Sequence, residues 1–110
     1  MNYPPARKMV DEGLAVALAS DYNPGSSPSG NMRFVTSLAS IRMHLTPTEA
    51  LWAATLNGAA AMGISDKYGS ITIGKVANFF ITKPIPSFEY FTYAYNTPLI
   101  EHIVLGGKIM

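Results

Sequence analysis

A chain of 110 residues has room for one modest domain. Only 14% of its residues are charged and 48% are hydrophobic, against roughly 25% charged in an ordinary soluble domain. That is too little charge to cover a free-standing surface, so part of the surface is expected against another chain segment or a second copy, making a homo-oligomer the expected state. Eight Lys and Arg against seven Asp and Glu give a net charge of +1 with no basic run, which argues against nucleic acid as a partner. The chain has no cysteine, which excludes disulfides and thiolate metal sites and fits the cytoplasm. Residues 1–5 lack a signal-peptide pattern, and the longest apolar run, residues 14–19, is far short of the ~20 residues of a membrane span. No membrane partner is expected.

Pro4 and Pro5 ahead of residues 6–12 predict a two-turn helix with proline at its start and Gly13 at its C-cap. Residues 14–19, apolar at every position, read as a parallel strand buried on both faces. Residues 20–30 are a loop by their Gly, Pro and Ser content. Met32, Val35, Leu38 and Ala39 then recur at helical spacing, with Phe34 and Ile41 widening the apolar face. Thr46, Pro47 and Glu49 make a complete capping box for a second helix, whose alanine-rich pattern runs to Met62 with Asn57 and Gly58 as a possible interruption. From Gly69 the period becomes strand-like: residues 70–73, a turn at Gly74 and Lys75, then residues 76–82. Pro84 and Pro86 end that run, an aromatic stretch occupies residues 88–95, and Gly106 and Gly107 mark a last hairpin between residues 102–105 and 108–109.

Asp21 stands out because it ends the buried strand, and α/β barrels carry their catalytic groups at the C-terminal ends of strands. A carboxylate there can bind a metal or take a proton from activated water; it can equally be an Asx turn that satisfies loop amides. The following loop, residues 23–30, presents amide, hydroxyl and open backbone donors ahead of a helix, a setting for an anion such as a substrate carboxylate or a phosphate; a loop without a ligand has the same composition. It matches neither the P-loop nor the dinucleotide-binding pattern. His44 and His102 are too far apart, and too isolated, for a His-x-His or His-Glu-x-x-His site and read as structural or solvent-facing. Ser20, Ser26 and Ser27 lack the Gly-x-Ser-x-Gly elbow of a serine hydrolase. The aromatic cluster reads as packing.

Residues 5–10 together with Ser20-Asp21-Tyr22-Asn23-Pro24-Gly25-Ser26 resemble the last barrel strand and following loop of the imidazolonepropionase family. Thr46-Pro47-x-Glu49-Ala50-Leu51, Ala54-Thr55-x-Asn57-Gly58-Ala59 and the stretch from Gly69 to Asn78 are similar to the tail that many amidohydrolases share. The resemblance spans nearly the whole chain. It implies the C-terminal portion of an amidohydrolase (β/α)8 barrel over residues 1–68, and strands of the small composite β-sandwich over residues 69–110. The implied reaction is hydrolysis of 4-imidazolone-5-propanoate to N-formimidoyl-L-glutamate in histidine degradation, by water activated at a bound zinc or iron ion. Asp21 matches the family's metal-binding aspartate and proton acceptor, and Asn23, Gly25 and Ser26 match loop positions that contact the acidic ligand. The family's His-x-His pair and further histidine have no counterpart here, and one carboxylate does not make a catalytic metal site. The chain alone is therefore expected to be inactive and to need the N-terminal part of the same enzyme. A non-catalytic binding or assembly module, and another amidohydrolase acting on a cyclic amide, remain the alternatives.

Overall fold

The computed structural model describes residues 2–25, 27 and 29–110. Helix α1, Ala6–Asp11, starts directly after Pro5, whose fixed φ suits a helix start. Gly13, at φ +86°, turns the chain out of it in the left-handed conformation that glycine adopts without strain. Both features are as the sequence predicts.

The expected buried strand at residues 14–19 is not a strand: it pairs in no sheet among the described residues. Its burial still alternates, with Val16, Leu18 and Ser20 half-buried and Ala15, Ala17 and Ala19 exposed. One side therefore lies on the protein and the other is open. The covered side is held by two hydrogen bonds, from the Leu18 N–H to the Ala53 carbonyl (3.0 Å) and from Asn57 Nδ2 to the Val16 carbonyl (2.9 Å). The correction has a physical reason: a parallel strand needs neighbouring strands to satisfy its backbone, and none lies beside it among the described residues.

Helix α2, Met32–Ile41, is capped by Asn31, whose Oδ1 accepts from the Arg33 and Phe34 N–H groups. It buries a face of small residues, Thr36, Ser37, Ala39 and Ser40, while Phe34 and Ile41 stay exposed and Val35 and Leu38 are half-buried. Of the apolar face read from the sequence, Ala39 is buried in the core, whereas Phe34, Val35 and Leu38 line an apolar cleft of about 680 Å³ together with Met9, Val16, Leu18 and Met43.

Helix α3, Pro47–Ala54, has the capping box intact: the Glu49 N–H donates to Thr46 Oγ1 and the Thr46 N–H to Glu49 Oε1. The helix breaks at Thr55 (ψ −78°), two residues before the expected Asn-Gly, and resumes as α4, Leu56–Ala61. Ala50, Ala53 and Ala59 are buried, the small side chains allowing close approach.

In the C-terminal part, residues 70–77 were expected to be strands and form none; Ile71 and Ile73 are 85% and 104% exposed. They have strand composition without a strand partner, and β-propensity expresses itself only through cross-strand packing. The turn after Ile73 is present, with the Lys75 N–H bonded to the Thr72 carbonyl. Strand β1, Phe79–Thr82, pairs antiparallel with β2, Ile100–Leu105, and β2 with β3, Lys108–Ile109. The last hairpin therefore forms as predicted, with Gly106 and Gly107 both at positive φ. The aromatic stretch folds as helix α5, Phe88–Tyr93, capped by Ser87, and packs on α2 and α3.

The core is small: Ala6, Ala39, Leu45 and Ala50 form its centre. The accessible surface of 7633 Å² exceeds the roughly 5,900 Å² expected of a compact 11.9 kDa monomer. The radius of gyration, 14.4 Å, is likewise above the roughly 13 Å of a domain this long. No helix among the described residues is long and apolar enough to cross a membrane.

Candidate functional site

Asp21 follows the half-covered segment 14–20 and stands exposed at φ +49°. Left-handed backbone costs a non-glycine residue roughly 1–2 kcal/mol, although Asp tolerates it better than most. Among the described residues no hydrogen bond or ion pair reaches its carboxylate. Its carbonyl accepts from Asn23 Nδ2 at 2.8 Å.

The Asx turn belongs to Asn23. Its Oδ1 accepts the Gly25 N–H at 2.9 Å, and its own N–H donates to the Ser27 carbonyl at 2.8 Å. Ser27 Oγ donates to the Ser20 carbonyl at 2.8 Å, closing the loop on the end of the preceding segment. The loop is thus shaped by its own side chains, and Asn23 has a structural duty besides any contact with ligand. At Gly25 a Cβ would come within 3.2 Å of Asn23 Oδ1, so glycine keeps the turn tight. Ser26, the remaining expected ligand contact, lies outside the described residues. Asn31 Oδ1 takes the N–H groups of Arg33 and Phe34, so at the start of α2 those two donors are already engaged.

His44 and His102 do not join this loop. His44, at φ +61°, follows α2 and its carbonyl accepts from Arg7 Nη1 at 3.3 Å; His102 lies on β2 opposite Ile81.

Two arginines carry the electrostatics that the sequence reading missed. Arg7 on α1 grips Glu49 with two hydrogen bonds, 2.6 and 2.9 Å, and reaches Asp11 at 2.7 Å. Its hydrogen bonds to Glu49 first, and to Asp11 second, raise the Arg7 pKa above its ordinary value. Glu49 is lowered to about 2, first by the Arg7 hydrogen bonds and then by the Thr46 N–H. The capping-box signal had found Glu49, but nothing local marks a partner 42 residues away. Arg33, in the first turn of α2, donates to the carbonyls of Phe91, Ala94 and Thr97 at 3.1, 2.8 and 2.6 Å, with its guanidinium 4.4 Å from the Phe91 ring centroid. Burial lowers the Arg33 pKa.

The amidohydrolase family model matches residues 1–110, and the chain belongs to that family. The imidazolonepropionase of Christiangramia forsetii is 56% identical over 108 residues, 98% of this chain and 26% of the relative. That of Flavobacterium johnsoniae matches to the same extent. Among solved structures, E. coli guanine deaminase superposes with a TM-score of 0.74 at 21% identity, over 96% of this chain and 29% of that one, which shows a shared fold. The chain spans about a quarter of the length of the curated relatives it matches.

Many amidohydrolases work with a metal ion, and the donor set here can be weighed against one. Among the described residues no three of His, Cys, Asp and Glu converge, whereas a catalytic zinc takes about three protein ligands. The described residues therefore do not by themselves make such a site.

Proposed function

We propose that this chain is the C-terminal part of an imidazolonepropionase. It would contribute Asp21 to hydrolysis of 4-imidazolone-5-propanoate to N-formimidoyl-L-glutamate. The observation that carries the proposal is the 56% identity to imidazolonepropionases along 98% of the chain, the loop included. The exposed, left-handed Asp21 with an uncommitted carboxylate supports it: a strained backbone at a candidate site is a reason to look for function there.

In this reading Asp21 is one ligand of a zinc or iron ion and accepts the proton that water loses as it attacks the ring carbon. The ion, when bound, supplies Lewis acidity. The loop positions Asn23, Gly25 and Ser26, with Asn23 holding the turn through the Gly25 N–H, are the ones proposed to meet the propionate of the substrate. The other ligands come from the preceding region, which the relatives carry and which this chain is proposed to need. The surface supports that need: about 1,700 Å² more than a compact monomer exposes is ample for a partner, since one side of a standard interface contributes roughly 800 Å². Residues 1–68 would complete a (β/α)8 barrel, with the segment 14–20 gaining strand neighbours on its open side. Residues 69–110 would add to a composite β-sandwich through residues 70–77 and the free edge of β1. The assignment places the protein in the cytoplasm.

The test is ring opening by the complete protein, this chain joined to the preceding region, followed by loss of imidazolone absorbance. Asp21→Asn should lower kcat by roughly 10²–10⁴, the usual contribution of a general base. No ring opening by the complete protein would refute the assignment; retention of wild-type kcat by that variant would refute the role of Asp21, and turnover by the 110-residue chain alone would refute its need for the preceding region.

A further inference from the structure

We propose that Arg33 is a positioning residue for the loop at 20–30, setting its exit from a distance through contacts with α5. The inference rests on the reading of that loop as the one that meets substrate.

The first half of the loop is tied to itself. Ser27 binds back to Ser20, and Asn23 bridges Asp21, Gly25 and Ser27. The second half runs to Asn31, whose N–H donates to Ser29 Oγ and whose side chain caps α2 on the N–H groups of Arg33 and Phe34. The loop's exit therefore sits wherever the first turn of α2 sits.

That turn is pinned by Arg33. Its guanidinium makes no ion pair among the described residues. It donates instead to three carbonyls at and beyond the end of α5, those of Phe91, Ala94 and Thr97. The last carbonyls of a helix have no partner within it, and a cation is favoured there. The same guanidinium lies over the Phe91 ring, which is 4% exposed and stacks on Phe80 of β1 at 5.6 Å. A second contact, Phe34 on Tyr95 at 5.2 Å, joins the same two places. A continuous set of contacts thus runs from the sheet through α5 and Arg33 to the loop.

The chemistry is specific to arginine. A planar fork spreads fixed donors over several carbonyls while its flat face stacks on a ring, whereas an ammonium is a compact point charge without that direction. Arg33 Nε is buried without an acceptor, a cost that lysine or methionine would not carry. What the side chain supplies is direction more than net stability.

The experiment uses the complete protein with Arg33→Lys and, separately, Phe91→Leu, which removes the ring and leaves the three carbonyls. Steady-state ring opening and hydrogen exchange by mass spectrometry are read together. For Arg33→Lys, KM should rise roughly tenfold, the scale of a small misplacement of binding groups, while kcat changes by less than about twofold. Exchange should accelerate across residues 20–31 and stay unchanged in 47–54. Phe91→Leu should shift both readouts in the same direction by less. Unchanged KM and loop exchange in Arg33→Lys, or a parallel loss of protection in 47–54, would overturn the proposal. The wild-type complete protein run alongside separates the two readings: no ring opening there, with faster loop exchange in Arg33→Lys, would sink the assigned reaction and leave the coupling standing.

Discussion

Replacing Gly69 with alanine should destabilise the protein more than the same change at Gly63, and the difference measures a specific contact. Both glycines have positive φ, +101° and +73°. An L side chain in the left-handed region costs roughly 1–2 kcal/mol, a loss both variants share. At Gly63 nothing lies within 4 Å of the added Cβ. At Gly69 it would meet Ala59 Cβ at 2.7 Å, the Thr55 carbonyl at 3.1 Å and Leu56 Cα at 3.3 Å, all on the kink between α3 and α4. Ala59 is 4% exposed and has no rotamer by which to withdraw, so the backbone must move, an overpacking cost of roughly 1–3 kcal/mol. Urea unfolding of the complete protein, followed by circular dichroism, should therefore show losses of about 1–2 kcal/mol for Gly63→Ala and about 2–5 kcal/mol for Gly69→Ala. Ala59→Gly in the Gly69→Ala background should recover part of the difference, a coupling of at least about 0.5 kcal/mol. Equal losses in the two single variants, with no recovery, would refute the close approach of residue 69 to α4.

The remaining predictions concern charge and assembly. The Glu49 carboxyl titrates at about 2 in the folded protein against 4.5 ordinarily, so its pairing stabilises the fold fully above about pH 4.5 and the benefit disappears as pH falls toward 2. Glu49→Gln, which can still cap α3, should flatten the slope of stability across that window; an unchanged slope would show that Arg7 does not hold the carboxylate. The isolated 110-residue chain should associate, as its open apolar cleft and exposed Ile71 and Ile73 lead one to expect. Monodisperse monomer in light scattering would contradict this. The same preparation should hold no stoichiometric zinc or iron by elemental analysis, since its described residues converge on no metal.

What could be read in the sequence was whatever a few neighbouring residues decide. The capping box at Thr46 and Glu49, the proline start of α1 and the Gly-Gly hairpin at 106–107 are each settled within a turn or two of chain, and each forms. Residues 14–19, 70–73 and 76–77 have strand composition, but pairing is decided by partners, and among the described residues no strand pairs with them. For α2 the helix was legible and its buried side only in part: the period picks out Ala39, which is buried, but Thr36, Ser37 and Ser40 are buried with it while Phe34 and Ile41 stay exposed. The Arg33 and Arg7 contacts join residues 37 to 64 positions apart and leave no local trace. Asn23-Pro24-Gly25 had signalled an Asx turn that was credited to Asp21 instead.

The break at Thr55 has a consequence for anyone wishing to stiffen this protein. It turns the α3–α4 junction into a stand-in for a missing strand: Ala53 and Asn57 present an acceptor and a donor to Leu18 and Val16, two residues apart, as the rung of a ladder would. Substitutions chosen to straighten the junction into one continuous helix, such as alanine at Asn57 and Gly58, would raise local helicity and erase that rung. The segment leading to Asp21 would then lose an anchor on its covered side, so a more regular helix would hold residues 14–20 less firmly.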